Sequence, residues 1–367
     1  LKTSAGGVAG FINNGGTLTL NNTGGTMDPD LILPGALPAT VYWDGGGNDL
    51  RWANPLNWST DILPGPEDNV FIDIPGLDPT IIFDSGEQTV NTLTSHEALN
   101  ISAGTLTLNN ASRIEAPLTL SLGTITGAGS LTTTGAFIWE SGTIGGAGVL
   151  TTQGNVTLAG GGVEENRQVA LERQWEMAGP VAATGDKLSV ALNAPLHIQS
   201  GQVFESKTLY GFEIHGTGSI DNDGVFRSSP GVAFGVANKV YVAMDTGVGG
   251  RVEVMEGSAD VQHILFLQGP SSSVGVYDVA SYGTLSFKGS DAGETVIHRL
   301  DPGAQLTGGG LVSSIRGSQL QINAPLTLPI SRLAIGTGGV LELNADLTTL
   351  GSLEIYGDGT ITGAGSL

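Results

Sequence analysis

Apolar and polar residues alternate along most of this sequence in short stretches. In Gly104–Asn110, for example, Leu106 and Leu108 alternate with Thr105 and Thr107, and Gly and Asn bound the stretch. A period of two over so few residues is typical of a short strand that buries one face, while Gly and Asn are typical of tight turns. The pattern predicts many short strands, each with leucine or isoleucine pointing inward and threonine pointing outward.

Several of these strand-and-turn segments recur. The nonapeptide Gly123-Thr-Ile-Thr-Gly-Ala-Gly-Ser-Leu131 is repeated without change at Gly359–Leu367, and Gly142–Leu150 is a near copy. The glycines at positions 104, 123, 142 and 161 are evenly spaced. Their period of about 20 residues, with a strand at a fixed phase, is typical of a solenoid, in which each repeat forms one coil and packs on the next. Shorter segments also recur: GTLTLNN at 16–22 and 104–110, APLTL at 116–120 and 324–328, and the variant APLHI at 194–198.

The length of the repeat indicates the kind of solenoid. It is too short for a strand with a crossover helix, but it is long enough for three short strands and three turns. The chain has 58 glycines among 367 residues, and Gly disfavours helix interiors by about 1 kcal/mol relative to Ala. We therefore predict an all-β fold, a right-handed parallel β-helix (β-solenoid) with rungs of about 19–22 residues, where a rung is one coil of three strands.

Composition divides the sequence into three parts. Residues 1–38 carry a partial repeat and are expected to form initial rungs. Residues 39–88 contain three of the five Trp, a Pro-Gly-Pro and several Asp, and we predict that they form an insertion or a cap, because a solenoid end exposes strand edges that require covering. Residues 89–367 are predicted to form the stalk, which we expect to continue beyond the last residue. Within the stalk, residues 164–177 fit either a helical turn or a strand.

Trp43, Trp52 and Trp58 are the aromatic candidates for ligand binding. Aromatic faces suit the apolar faces of sugar rings, so the three indoles form a candidate surface for glycans. Packed on one another, they would instead form the small core of a cap. Both interpretations are open at the level of the sequence.

Four aspartates in the same part, Asp44, Asp49, Asp68 and Asp73, are candidate calcium ligands. They lie in Gly-rich loops, and calcium prefers oxygen ligands. However, residues 45–49 do not match the GGxGxD repeat of calcium-binding β-rolls, and no EF-hand loop is present. We expect no cofactor. Calcium is the one ion that these four aspartates could bind.

Other acidic residues and the histidines give weaker signals. Asp221 and Asp223 lie in Asp-Asn-Asp-Gly, a sequence typical of a turn, and Glu164 and Glu165 are expected to be solvated. The histidines at 96, 197, 215, 263 and 298 include no H-x-H or H-x-x-x-H pair, so a zinc site is not expected. No nucleophile elbow, P-loop or dinucleotide motif is present. We therefore assign no catalytic residue.

The net charge of −21 limits the partners. Nucleic acids require a basic footprint, and anionic lipid would repel so acidic a chain, so we expect neither as a partner. No apolar run approaches the roughly 20 residues of a membrane helix, so direct membrane insertion is not expected. The absence of cysteine excludes disulfides and thiolate sites and is compatible with export.

The Trp-rich part and several rungs resemble a known group of proteins. Trp43-Asp-Gly-Gly-Gly, followed by Asn57-Trp58-Ser and Leu63-Pro-Gly-Pro-Glu-Asp-Asn-Val, resembles the tryptophan-rich module that precedes the stalk of filamentous-haemagglutinin-like and autotransporter-like bacterial surface proteins. Phe137–Leu150 and Gly216–Phe226 resemble their recurring rungs. The resemblance implies a secreted or cell-surface location and a structural or adhesive role, and it transfers no catalytic residue.

These observations lead to one main functional expectation. We expect an extracellular scaffold that associates with itself in filaments or neighbouring copies, or that binds surface glycans, and that has no catalytic activity. The alternative is a carbohydrate-active β-helix, such as a polysaccharide lyase or hydrolase, or a carbohydrate-binding one. Parallel β-helices of that kind use carboxylates from neighbouring rungs as acid, base or calcium ligands.

Overall fold

A computed structural model describes residues 40–161, 168–229, 237–258 and 262–367. These residues form a parallel β-solenoid of about 13 turns with about 22 residues per turn and almost no helix. The predicted all-β parallel solenoid is therefore confirmed. The initial rungs expected for residues 1–38 lie outside the described residues, as do Glu164 and Glu165.

The strands form three long parallel sheets, one along each side of the coil. Sheet 1 has 15 strands, which are, in stacking order, Thr40–Tyr42, Asn69–Ile72, Thr92–Ser95, Ser112–Ile114, Leu131–Thr133, Leu150–Thr152, Trp175–Met177, Leu196–Ile198, Ser219–Asn222, Ala243–Thr246, Ser271–Ser273, Val296–Leu300, Ser318–Ile322, Val340–Leu343 and Thr360–Gly363. Sheet 2 has 13 strands, which are Glu87–Val90, Thr105–Leu108, Thr124–Thr126, Gly142–Ile144, Gln168–Leu171, Leu188–Leu192, Phe212–His215, Ala237–Val240, His263–Leu267, Gly283–Lys288, Leu311–Ile315, Arg332–Ile335 and Ser352–Ile355.

Sheet 3 has 11 strands, which are Thr80–Phe83, Ala98–Ile101, Leu118–Leu120, Phe137–Trp139, Val156–Ala159, Val181–Thr184, Val203–Ser206, Val225–Ser228, Arg251–Val254, Val276–Val279 and Gln305–Thr307. A separate pair, Leu326–Leu328 and Leu347–Thr349, forms a two-stranded sheet. Among the described residues, the helical content is one 3-10 turn, Pro55–Asn57.

Rows of apolar side chains fill the interior. On sheet 2, Leu106, Ile125 and Ile144 are in register on three successive rungs and are almost fully buried. Thr105 and Thr124 are in register on the opposite face of the same strands. Fully burying one aliphatic side chain contributes about 1.5–3 kcal/mol, so each row adds stability at every rung. The inward and outward positions predicted from the alternation are confirmed in these strands.

Rung length varies along the solenoid while the strands stay in register. Where the rungs are short, Val149 N donates a hydrogen bond to Oγ of Ser130, which precedes it by 19 residues. Where they are long, Ser272 N donates to Oδ1 of Asp245, which precedes it by 27 residues. The long rungs exceed the length predicted from the sequence, because the corners between strands accept extra residues without disturbing the sheets.

Successive copies of a repeated segment keep their position in the rung, whereas distant copies do not. In the nonapeptide at 123–131, Thr124–Thr126 lies in sheet 2, whereas in the identical nonapeptide Thr360–Gly363 lies in sheet 1. Likewise, Leu118–Leu120 of APLTL belongs to sheet 3, and Leu196–Ile198 of APLHI belongs to sheet 1. The expectation of a fixed phase is therefore confirmed for the successive copies at 104, 123 and 142, and it does not extend to the distant copies. Each repeat specifies a strand with its adjoining turn, and more than one side of the coil accepts it.

The segment that fitted either a helical turn or a strand is extended where the structure describes it. Gln168–Leu171 is a strand of sheet 2, and Trp175–Met177 is a strand of sheet 1. Residues 164–167 lie outside the described residues.

Arg173, at the corner between those two strands, points into the interior and is 2% exposed. Its guanidinium donates hydrogen bonds to the carbonyl oxygens of Gly145 (2.5 Å), Gly129 (3.0 Å) and Gly127 (2.9 Å), on the two preceding rungs. Gly127 has a φ of +112°, and a Cβ there would lie 2.1 Å from the carbonyl oxygen of Leu108. The corners can stack so closely because glycines occupy them. The stacked carbonyl oxygens of these glycines accept the hydrogen bonds of the buried guanidinium.

Two histidines also lie in the interior. His263 is 2% exposed and His298 is 0% exposed. The hydroxyl of Ser228 lies 2.8 Å from His263 Nε2, and that of Ser271 lies 2.9 Å from His298 Nδ1. Burial disfavours the charged imidazolium and lowers the pKa of each histidine to about 4. Both side chains are therefore neutral at pH 7.

We predict that these two histidines make the fold sensitive to acid. In the unfolded chain a histidine takes up its proton near a pH of about 6.5, whereas in the fold the pKa is about 4. Their contribution is therefore complete above pH 6.5 and is lost as the pH falls towards 4. A shift of this size corresponds to about 3 kcal/mol for each histidine. Urea unfolding at several pH values across this range would measure the loss.

The matched variants are His298→Gln and His96→Gln, since the side chain of His96 is 41% exposed. We expect His298→Gln to lower stability at neutral pH but to flatten its dependence on pH, because one buried titrating group is gone. His96→Gln is expected to follow the wild type. An unchanged slope in His298→Gln would contradict the prediction.

Candidate functional site

Stacking brings residues that are one rung apart in the sequence to neighbouring positions on the surface. On sheet 1, the outward-facing residues Glu176, His197, Asp221 and Asp245 are consecutive partners in the register. Neighbouring strands lie about 4.8 Å apart, so these side chains form one line across four rungs. We call these four residues the acidic row.

The imidazole of His197 lies between two carboxylates. Its Nδ1 is 2.8 Å from Oε2 of Glu176, and its Nε2 is 3.3 Å from Oδ2 of Asp223, which directly follows the strand that carries Asp221. Partial burial by itself would lower the pKa of His197. Hydrogen bonds to Glu176 and Asp223, together with the negative charges of Glu176 and Asp221, outweigh burial and raise that pKa.

Glu176 is held in place from both sides. Gln174 Nε2 donates to its Oε1 (2.7 Å), and Gln199 Nε2 donates to its Oε2 (3.2 Å). Partial burial favours the neutral acid, but these two hydrogen bonds and the contact with His197 lower the pKa of Glu176. Glu176 is therefore an ionised, fixed acceptor that orients the ring of His197.

His197, Asp221 and Asp223 form a compact set of potential ligands. Each offers one nitrogen or oxygen atom, and the three atoms lie within 4.8 Å of one another. In the part of the chain that the structure describes, no other three histidine or acidic side chains come this close. An imidazole nitrogen with carboxylate oxygens suits a divalent cation.

The acids of sheet 3 have cationic partners that the acidic row lacks. Arg227 Nε lies 2.7 Å from Glu253, and Arg251 lies 3.1 Å from Glu253 and 3.0 Å from Asp278. Glu205 pairs with Arg227 at 3.9 Å. Among the described residues, the one ion pair found for a carboxylate of the acidic row is the contact of Glu176 with His197, within the row itself. The carboxylates of Glu176, Asp221 and Asp245 are therefore not neutralised by a lysine or arginine among the described residues, and a bound cation would be favoured beside them.

Sequence inspection missed this set because its members come from different rungs. His197 follows Glu176 by 21 residues, and Asp221 lies one further rung along the chain. A search for histidine and acidic residues separated by one rung could have found it. The turn predicted around Asp221 begins later than expected. Asp221 lies in the strand Ser219–Asn222, and of the two aspartates only Asp223 lies in the turn.

The three tryptophans of the cap region are packed on one another. The ring of Trp58 is 5.0 Å from that of Trp43 and 4.7 Å from that of Trp52, both edge to face. The three residues are at most 4% exposed. Stacking on a sugar requires an exposed aromatic face. The geometry therefore favours the interpretation as the core of a cap, and glycan binding by these rings stays a prediction.

This aromatic cluster is continuous with the solenoid. Thr40–Tyr42 pairs with Asn69–Ile72 in sheet 1, and Trp52 contacts Phe83 of sheet 3 at 5.7 Å between ring centroids. Trp58 Nε1 donates to the carbonyl of Trp52 (2.9 Å), which fixes the central ring. The cluster therefore packs onto the first described rungs of the solenoid.

The four candidate calcium ligands have partners within the protein. Asp44 accepts a hydrogen bond from Gly46 N (3.1 Å), and Asp68 accepts one from Gly65 N (2.7 Å). Asp49 accepts hydrogen bonds from Arg51 N (3.0 Å) and from the side-chain amides of Asn54 (3.0 Å) and Asn57 (2.7 Å). The carboxylate of Asp73 lies 3.8 Å from Nδ1 of His96. The hydrogen bonds from Arg51, Asn57 and Asn54 lower the pKa of Asp49. In the described ranges none of the four belongs to a close group of three such side chains. Calcium binding here stays a prediction.

A groove of about 520 Å³ runs along the corner before sheet 2. Gln262, Tyr282, Gly310, Arg332 and Ser352 line it, each beside or within one of five successive strands. Tyr282 has a φ of +58° and is 54% exposed. A positive φ is uncommon for a bulky residue and often marks a functional position. The groove thus offers an aromatic ring, a guanidinium and polar groups along several rungs.

Comparison with known proteins finds no family model, no curated protein and no solved structure that matches this chain. The fold and the surface features define its class as a parallel β-solenoid with an aromatic cluster near the start of the described residues. Membership of the bacterial surface-protein group stays a prediction. The helices of the described part include none with the length and apolar character to span a membrane.

We predict that Trp58 is essential for the stability of the cap. Trp58→Ala removes a side chain that is 0% exposed and is expected to destabilise the protein by about 3–5 kcal/mol. Ile62→Ala, at a position that is 68% exposed in the same region, is expected to change stability by less than about 0.5 kcal/mol. Denaturant unfolding of both variants would test this. Equal stability of Trp58→Ala and wild type would contradict an interior role.

Proposed function

We propose that this chain is a structural and adhesive β-solenoid of the bacterial cell surface or extracellular space, without catalytic activity. The observation that carries the proposal is the parallel stacking of about 13 turns, with sheet 1 continuous through all of its 15 strands. At about 4.8 Å per rung, this stack is roughly 60 Å long. A rod of this kind holds binding surfaces at a fixed distance from its base and repeats its outward rows along its length.

Composition supports the extracellular location. The net charge of −21 and the absence of cysteine suit an exported surface. The resemblance of residues 43–70 and of several rungs to haemagglutinin-like and autotransporter-like stalks points in the same direction.

The proposal includes association between copies of the chain, and the last described rung shows which surface would take part. Ile355 is 52% exposed, although its register partner on the preceding rung, Ile335, is 0% exposed. Leu367 is 63% exposed, whereas Leu131 in the identical nonapeptide is 0% exposed. The interior nonapeptide is covered by its near copy, Gly142–Leu150. A further rung would cover this open edge in the same way, whether it comes from the same chain or from a second copy, and the proposal takes the second copy as the partner.

We predict that the purified protein associates end to end. Electron microscopy at increasing concentration should show rods longer than the roughly 60 Å of one stack. Ile355→Lys should shorten them to single rods, because it places a charge on the uncovered apolar surface. Leu122→Lys, at a 73% exposed position on an inner rung, should leave association unchanged.

Two results would count against this prediction. Dispersed single rods at every concentration would contradict association by this edge. Long rods that persist in Ile355→Lys but not in Leu122→Lys would assign association to a different surface.

The groove beside sheet 2 supports the adhesive part of the proposal. The ring of Tyr282 offers a face for a sugar, and Arg332 offers a guanidinium for a carboxylate or hydroxyl group. Because the groove crosses several rungs, it suits an extended glycan better than a single sugar.

We predict that Tyr282→Ala weakens binding to surface oligosaccharides by about tenfold or more, as loss of an aromatic anchor does at other interfaces. A glycan array with neutral and uronic-acid-containing oligosaccharides would measure it. Tyr210→Ala, which removes another exposed tyrosine, is the control and should bind like wild type. Equal binding by both variants would exclude the groove as the glycan site. Release of reducing ends from any polysaccharide would overturn the non-catalytic assignment.

A further inference from the structure

The tautomer of His197 is set by its neighbour on the preceding rung. Nδ1 lies 2.8 Å from the carboxylate of Glu176, which has no proton to donate when ionised, so Nδ1 carries the hydrogen. The lone pair of a neutral ring is then on Nε2. A metal-binding histidine in proteins almost always donates its other N–H to a carboxylate or carbonyl in this way. The Glu176–His197 contact is thus the arrangement that a metal ligand requires.

The free side of the ring faces negative charge. Nε2 of His197 lies 3.3 Å from Oδ2 of Asp223, and a carboxylate oxygen of Asp221 completes the set within 4.8 Å. A nitrogen lone pair and two carboxylates that point at one another repel, and the repulsion is relieved either by a proton on Nε2, which is then donated to Asp223, or by a metal ion that takes the place of that proton. The ligand bonds of Zn²⁺ to nitrogen and oxygen are about 2.0–2.2 Å. Asp221 is exposed and the side chain of Asp223 is 46% exposed, so neither carboxylate is held by packing and both have room to turn towards an ion.

We propose that His197 Nε2, Asp221 and Asp223 bind one divalent cation of the zinc type, with Glu176 as a positioning residue. One nitrogen and two oxygen ligands from two neighbouring rungs leave a fourth position of the tetrahedron open to water or to a ligand. The pattern escapes sequence inspection, which argued against zinc from the spacing of histidines alone. The proposal does not depend on the structural and adhesive role.

The chain contains its own matched control. His96 also lies between two carboxylates, with Nδ1 at 3.8 Å from Asp73 and Nε2 at 3.6 Å from Glu115. These distances are longer than hydrogen bonds, and the three side chains do not form a close ligand set. His96→Gln therefore removes a histidine with similar neighbours but without the fixed ring.

The test is titration of the purified, chelator-treated protein with ZnCl₂ by calorimetry, with the fold of each variant checked by circular dichroism. We expect saturable binding of one ion by the wild type and by His96→Gln. His197→Gln and Asp221→Asn should each weaken binding more than about tenfold. Glu176→Gln should weaken it by about 10- to 100-fold while keeping one ion per chain, as loss of a partner of a ligating histidine does.

A spectroscopic measurement separates positioning from a general structural role. In ¹⁵N spectra, zinc should shift Nε2 of His197 in the wild type, and Glu176→Gln should change the proportion of rings protonated at Nδ1 without unfolding the protein. The proposal is overturned if zinc does not bind, if binding survives His197→Gln, or if His96→Gln lowers the affinity as much as His197→Gln does. Calcium binding that is indifferent to His197→Gln, without zinc binding, would overturn it as well.

Discussion

The hydrogen bonds between successive rungs are the constraint on which every other feature depends. Parallel pairing places each strand about 4.8 Å from its equivalent in the next rung. Each residue of a strand therefore has the corresponding residue of the previous rung below it and that of the next rung above it. An apolar residue that points inward, such as Ile125, stabilises the stack because Leu106 and Ile144 occupy the same position on the two neighbouring rungs and pack against it. The corners are free of this constraint, which is why short and long rungs coexist in one stack.

The same constraint acts on the outer surface, where it has opposite results on different sheets. On sheet 3 arginines accompany the acids, since Arg227 lies between Glu205 and Glu253 on neighbouring rungs. Asp278 is the next partner of Glu253 in the register, and Arg251 contacts both. On sheet 1 it aligns like charges, because Asp221 and Asp245 are direct partners. Opposite charges side by side neutralise a surface, whereas aligned carboxylates create a site that a cation stabilises.

Local patterns made the fold predictable, and non-local spacing kept the candidate site hidden. The alternation in Gly104–Asn110 is visible within a few residues, and the strand follows from it directly. The approach of His197 to Asp221 depends on the length of the rung that joins them, and rung length varies along the solenoid, so no single period identifies which side chains meet. Trp58 was ambiguous for a related reason. A tryptophan side chain suits a sugar-binding surface and an apolar core equally. The packing of Trp58 against Trp43 and Trp52, which the sequence does not show, favours the core.

Arg173 has a consequence for the order in which the chain assembles. Its acceptors, the carbonyls of Gly145, Gly129 and Gly127, lie 28 to 46 residues earlier in the sequence. They converge only after two complete coils have formed and stacked, and until then the guanidinium is better solvated by water. The arginine therefore ties its own corner to the two rungs that precede it in the sequence. Complete burial of Arg173 therefore requires that the two coils before it in the sequence are stacked, so this charge is accommodated by the stack and not by its own coil.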